Sequence, residues 1–201
     1  MKKFDKIIIG TRNDGKFKEI CDLLPKNIIK TSPKDLNLLS PDEIGSTFEE
    51  NSKIKAEYFA KKANLIAISD DSGLSIDLLS GDPGIYSSRW AGPTNDFNVA
   101  IEKVYNELKK IKIVWNKRKE IVARFISCLT LHWPNGKFIS STGIVEGRIS
   151  EIKKGTNGFG YDPIFIPLGY EKTFGELKPK EKLKIDHRSK AFLKISNLFI
   201  N

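Results

Sequence analysis

The sequence predicts an α/β fold on a mixed sheet, and three observations carry that prediction. Short apolar runs at 6–9 (KIII) and 65–68 (LIAI) have the length and composition of buried strands. Amphipathic stretches from about Gly15 to Leu24, and again from Phe48 onward, alternate with them in the α/β manner. Finally, Glu120–Trp133 and Lys137–Arg148 both alternate apolar and polar residues across Pro134-Asn135-Gly136, a strong hairpin signal. A hairpin departs from a purely parallel sheet, so it adds either a second lobe or an extension of the main sheet.

The elements are justified in order. Gly10–Lys16 (GTRNDGK) follows the first strand as a glycine-flanked polar turn leading into a helix. That arrangement collects backbone N–H groups around an anion. Thr11 and Asn13 add side-chain donors, and Arg12 and Lys16 add positive charge. An ordinary strand-to-helix loop is the plainer alternative, and GxxxxGK[ST] is absent. Phe17, Ile20, Leu23 and Leu24 mark the helix's apolar face, and Pro25 closes it. Asn27–Thr31 reads as a second strand and 32–41 as a loop. Thr47 and Glu50 form a capping box, with Phe48, Ile54, Tyr58 and Phe59 on the apolar side of the helix they start. Asn51 and Lys55 share another face. A solvated helix surface is the plain reading of Glu43, Glu50 and Lys55, although Glu43 lies where it can approach the aspartate pair that follows.

That pair, Asp70-Asp71, sits inside the apolar stretch 65–79 (LIAISDDSGLSIDLL). Unpaired buried charge is costly. Ser72-Gly73 suggests that the strand ends and turns there. One carboxylate then projects outward as a base and cation ligand while the other is held by donors or a cation; two solvated aspartates are the alternative. Gly81–Gly84 is a turn. A helix opening at 93–96 and running to about Lys110 packs Phe97, Ile101, Val104, Tyr105 and Leu108. In GTNGFGYDPIFIP (155–167), the glycines permit unusual backbone angles. They leave Phe159 and Tyr161 suited to stacking on a flat base. Asp186 caps a final helix with Ala191, Phe192, Ile195, Leu198 and Phe199 inward. Lys182, His187 and Arg188, at or before its start, oppose the helix dipole and so suggest an outside anion or acceptor.

Composition bounds the rest. At 201 residues, 39% apolar and 29% charged, the chain reads as one globular domain, 1–201. No apolar run reaches the length of a membrane span or signal-peptide core, so a cytoplasmic protein with no membrane partner is expected. Cys21 and Cys128 read as inert buried thiols. His132 reads as structural or exposed. The net charge of +9 is spread among apolar residues, even in its densest region, Lys109–Lys119. It argues weakly for nucleic acid, and none is expected as a partner. Zinc spacing and GxSxG are absent.

The sequence resembles the inosine triphosphate pyrophosphatases, nearly end to end. The likeness rests on TRNDGKFKE (11–19), TFEENSKIKA (47–56), DDSGLSIDLLSGDPGIYSSRWAG (70–92), ARFISC (123–128), GTNGFGYDPIF (155–165) and the EK…HRSKA run (181–191). It implies a strongly bent mixed β-sheet flanked by helices, two lobes around a central nucleotide cleft, a homodimer and dependence on Mg²⁺. It also implies hydrolysis of ITP, dITP and XTP to the monophosphate and pyrophosphate. From the residue types themselves, Glu43 and Asp71 suit a hard divalent cation, since Mg²⁺ prefers oxygen ligands. By the same resemblance Asp71 is catalytic. Substrate is bound by Thr11, Arg12, Asn13, Asp14, Gly15, Lys16, Ser72, Lys182, His187 and Arg188. Phe159, Gly160, Tyr161 and Asp162 form the base pocket.

The chemistry is consistent with these residue types. Phosphate oxygens repel a nucleophile, so hydrolysis needs charge neutralisation and a positioned water, and Mg²⁺ supplies charge. Hypoxanthine and xanthine present an acceptor O6 where adenine presents an amino donor, and a donor such as Arg188 would distinguish them. Two rivals remain at this level. One is a non-catalytic nucleic-acid binder, which leaves Glu43 and Asp71 unexplained. The other is a phosphatase releasing orthophosphate stepwise.

Overall fold

The computed structural model describes residues 5–111 and 120–199, so Met1-Lys2-Lys3 and most of the basic 109–119 stretch lie outside the described residues. Six strands and five α-helices follow one another among them: β1 (Lys6–Ile9), α1 (Asp14–Leu23), β2 (Ile29–Thr31), α2 (Phe48–Ala63), β3 (Ile66–Ile76), α3 (Phe97–Lys110), β4 (Val122–His132), β5 (Phe138–Ile149), β6 (Phe165–Pro167), α4 (Pro179–Lys182) and α5 (His187–Leu193). The sheet order is β2-β1-β3-β4-β5-β6. β1 runs parallel to β2 and β3, while β5 and β6 are antiparallel, so the sheet is mixed and the fold α/β. The predicted hairpin extends this same sheet.

Packing divides the chain into two units. The first comprises the described residues up to Asp71, Ser127–Gly143, and those from His187 onward. Strand alternation organises it. Ile8 and its register partner Ala67 pack with Phe59 and Ala60 of α2. Ile7, Ile9 and Ile68 pack with Ile20 of α1 and Ala191 and Phe192 of α5. Successive side chains of a strand point to opposite faces, so β1 and β3 bury one row under α2 and the other under α1 and α5. Gly143 is required by this packing: a Cβ there would meet the His187 carbonyl oxygen at 2.1 Å.

The second unit comprises the described parts of Ser72–Ile126 together with Ile144–Asp186. Its core joins Leu74 and Ile76 to Ile101, Val104 and Leu108 of α3, and to the aromatic group Phe125, Phe165 and Phe174.

Local signals explain most helix starts. Asn13 Oδ1 accepts from Lys16 N at 2.9 Å, Thr47 Oγ1 from Glu50 N at 3.1 Å, and Asp96 Oδ1 from Asn98 N at 2.9 Å. The Glu50 carboxylate reaches back to the Ser46 N–H and hydroxyl.

Four expectations are corrected. β3 does not end at Ser72-Gly73 but runs unbroken to Ile76, because each carboxylate finds cations on its own face. The fully buried row of α2 is Asn51, Ser52, Lys55, Ala56, Phe59 and Ala60, a half-polar strip, while Phe48, Ile54 and Tyr58 are only partly buried. Lys55 is therefore no surface residue. The final helix stops at Leu193, and a 3-10 turn at Ser196–Phe199 continues it.

Candidate active site

Asp70 and Asp71 are adjacent on β3, so they serve opposite faces. Asp70 is fully buried on the α1/α5 face. Its Oδ2 lies 2.9 Å from Lys16 Nζ and 3.2 Å from Arg188 Nη2, and its Oδ1 accepts from Ser127 Oγ. Arg188 also donates to Glu19 of α1. Burial disfavours the Asp70 anion, but Arg188 and Lys16 outweigh it and hold its pKa well below the usual carboxylate range. Asp70 is thus an ionised anchor for α1, β4 and α5.

Asp71 behaves differently. Its Oδ1 accepts from Lys55 Nζ at 3.2 Å, and the same ammonium group donates to Glu43. Its Oδ2 is buried with no hydrogen-bond partner among the described residues. Burial raises the Asp71 pKa, and the nearby Glu43 and Asp70 charges add to that; Lys55 and Lys16 oppose it without prevailing. For Lys55, burial works against the charge, but Asp71 and Glu43 overcome it and its pKa is raised. Neighbouring carboxylates are therefore pushed in opposite directions, Asp70 toward its charged form and Asp71 toward its neutral form.

The ionic groups named here on the two faces are four carboxylates (Glu19, Glu43, Asp70, Asp71) and three cations (Lys16, Lys55, Arg188). The balance leaves room for added positive charge. Glu43 and Asp71 converge through Lys55, and the Asp71 oxygen without a partner is a hard donor, so this corner fits a hard divalent cation. Among the described residues no group of three or more His, Cys, Asp or Glu side chains gathers as a metal cage. Such a cation would keep most of its water or take substrate oxygens.

The 11–16 loop leads into this cluster. Thr11 is buried and its hydroxyl accepts from Asn13 N at 3.2 Å. Asn13 caps α1, Gly15 lies in its first turn, and Lys16 reaches Asp70. Arg12 is exposed and donates to the Leu38 carbonyl, while exposed Asp14 pairs with Lys34. The turn therefore orients α1's first N–H groups and Lys16, whereas Arg12 and Asp14 face outward. Ser72 is partly buried on β3 next to Asp71.

The second unit holds a separate cluster. Asp162 is buried; its Oδ2 accepts from Phe159 N at 2.9 Å and from Lys182 Nζ at 2.6 Å. Lys182 Nζ lies 5.1 Å from the Phe159 ring centroid. Gly158 has φ +74°, and a Cβ there would fall 1.9 Å from Asp162 Oδ2, so only glycine admits this turn. Gly160, at φ +68°, completes it.

Two of the predicted site residues, Tyr161 and Arg188, are almost fully buried. The Tyr161 ring is in the core, edge-on to Phe97 at 5.3 Å, and its hydroxyl donates to the Ser87 carbonyl. Arg188, 1% exposed, pairs with the carboxylates of Glu19 and Asp70. Lys182 likewise meets a protein carboxylate. His187 is buried at the start of α5. Lys55, Glu19 and Ser127 were missed. The one signal available was the Asn51/Lys55 face on α2 following Glu43.

The model of the Ham1 family matches residues 7–198. A dITP/XTP pyrophosphatase of Rhizobium meliloti is 43% identical over 198 residues, covering 92% of both chains, and one from Rhodopseudomonas palustris is 41% identical over 96% of this chain and 95% of its own. Among solved structures, a HAM1 protein from Coxiella burnetii superposes with a TM-score of 0.84 at 35% identity, covering 96% of this chain and 97% of that one. The cluster on β3 and the Gly158–Asp162 turn thus sit in a chain that belongs to the Ham1 family.

Proposed function

We propose that this chain hydrolyses the deaminated purine nucleoside triphosphates ITP, dITP and XTP to the nucleoside monophosphate and pyrophosphate. Relatives that are named dITP/XTP pyrophosphatases support this reading. The observation that carries it is Asp71, a buried carboxylate with raised pKa and one oxygen without a partner, held against Lys55.

In the first unit, Asp71 takes the proton of a water, and the resulting hydroxide attacks the α-phosphorus. The α–β anhydride bond breaks, and its electron pair leaves with pyrophosphate. Glu43 and Asp71 would hold Mg²⁺, which would supply positive charge to the phosphate oxygens. Lys16, Lys55 and the N–H groups opening α1 stabilise the phosphate chain. In the second unit, Lys182 beside the Phe159 ring is the donor suited to a purine O6, and it disfavours adenine's amino donor. We assign base reading to Lys182, whose ammonium lies beside the Phe159 ring, rather than to Arg188, which is shared between two carboxylates, Glu19 and Asp70. We extend the reading to a homodimer working in the cytoplasm. No helix among the described residues is long and apolar enough to cross a membrane.

Pyrophosphate release across a nucleoside triphosphate panel, with and without Mg²⁺, is the test. ITP, dITP and XTP should give pyrophosphate and no orthophosphate. Asp71→Asn should fold and lose at least ~10²-fold in turnover, the scale of general-base assistance. Orthophosphate as the product, or near-normal turnover in that variant, overturns the reading.

A further inference from the structure

Asn51 is fully buried on α2, one helical turn before Lys55, in a row where an apolar residue would ordinarily pack. Its Oδ1 accepts from Gly45 N at 2.8 Å. The amide orientation follows from that contact, since a backbone N–H only donates. Its Nδ2 has no hydrogen-bond partner among the described residues. A half-satisfied buried amide costs stability, so packing does not account for it.

The contact it makes is specific. Gly45 lies two residues after Glu43. A Cβ at Gly45 would fall 2.7 Å from Asn51 Oδ1 and 2.7 Å from Glu50 Cβ. Glu50 anchors the next residue, accepting from Ser46 N at 2.7 Å. The 45–46 segment is therefore pinned to the first turn of α2, two residues after Glu43, at a separation that a Cβ at position 45 would disturb.

We infer that Asn51 is a positioning residue: by tethering the Gly45 amide it sets the Glu43 carboxylate beside Lys55 and Asp71, in the geometry that receives the divalent cation. This rests on the metal assignment under the proposed function. Buried hydrogen-bonding partners that orient metal ligands typically change metal affinity or activity by about 10–100-fold when removed.

The test uses the whole chain and four variants. Asn51→Ala removes the acceptor. Gly45→Ala keeps Asn51 but forces the segment away. Asn51→Asp keeps the acceptor. Glu43→Gln addresses the ligand itself. Thermal unfolding establishes that each is folded; should Asn51→Ala not fold, Gly45→Ala carries the same test.

Hydrogen exchange at the amide of position 45 should accelerate in Asn51→Ala and stay slow in Asn51→Asp. Mn²⁺ binding without substrate, followed by electron paramagnetic resonance, should weaken about tenfold in Asn51→Ala and Gly45→Ala. The half-saturating Mg²⁺ for ITP cleavage should rise in parallel, with turnover recovered at excess Mg²⁺. A merely structural defect would not recover. Unchanged exchange at position 45, or unchanged metal affinity in both tether variants while Glu43→Gln weakens it, overturns the inference. Unchanged metal affinity in Glu43→Gln overturns the metal assignment instead, and the exchange measurement still decides the tether.

Discussion

Replacing Arg188 with methionine should weaken the fold far more than it alters base choice. Arg188 is 1% exposed and Asp70 0%. Removing one member of a buried ion pair typically costs about 3–5 kcal/mol, because the partner charge is left buried. Here Asp70 keeps Lys16 at 2.9 Å and Ser127, and Glu19 reaches water, its side chain being 16% exposed. Both place the cost near the lower end, about 3 kcal/mol. With a urea slope of about 3 kcal/mol/M for a chain of this size, the unfolding midpoint should fall by about 1 M. Asp70→Asn should cost a similar amount, and the double variant clearly less than the sum, with a coupling of at least ~1 kcal/mol. The ratio of kcat/KM for ITP over ATP should stay close to its native value in Arg188→Met. A midpoint shift below about 0.3 M, or strict additivity in the cycle, refutes the anchoring argument. A collapsed ITP preference at unchanged stability would restore Arg188 to the base.

Three further outcomes are expected. Lys182→Met removes the donor beside Phe159, and raises KM for ITP by about 10–100-fold, the worth of one charged hydrogen bond, with a smaller change in kcat; steady-state kinetics reads it. Tyr161→Ala should cost about 3–5 kcal/mol in thermal or urea unfolding, as for other large core aromatics, while Tyr161→Phe costs about 1 kcal/mol and keeps the ITP-to-ATP ratio. The acid limb of stability should follow Asp70. Its folded pKa is depressed, so its contribution is fully present above the unfolded value of about 3.9 and is lost as pH falls through the lower folded value. Asp71 has the opposite sign, its pKa being raised, so its contribution is lost as pH rises through the folded value. Urea unfolding from about pH 5 downward should therefore be less steep in Asp70→Asn than in the native chain.

The fold was legible wherever local chemistry decides the outcome. Asn13, Thr47 and Asp96 cap the helices they precede, and the Pro134-Asn135-Gly136 turn joins two neighbouring strands. Legibility failed wherever a charge is satisfied from far away in sequence. Two adjacent aspartates read as a strand end, because a sequence window holds no partner for them. The partners are Lys16, Arg188 and Ser127 for Asp70, and Lys55 for Asp71, separated by 16 residues in the nearest case and 118 in the farthest. Lys55 was hidden for the same reason: a lysine on a helix reads as solvated until the sheet brings a carboxylate against it. Tyr161 differs: its glycine neighbours suggest an open loop, yet beside the positive-φ turn of Gly158 and Gly160 its ring lies in the core. The glycines do supply backbone freedom; Asp162, which accepts from Phe159 N and Lys182, decides what it is used for. Asp70, Asp71 and Lys55 are thus the residues whose local context looks least favourable, because a buried charge is tolerated only where distant groups have been brought to meet it.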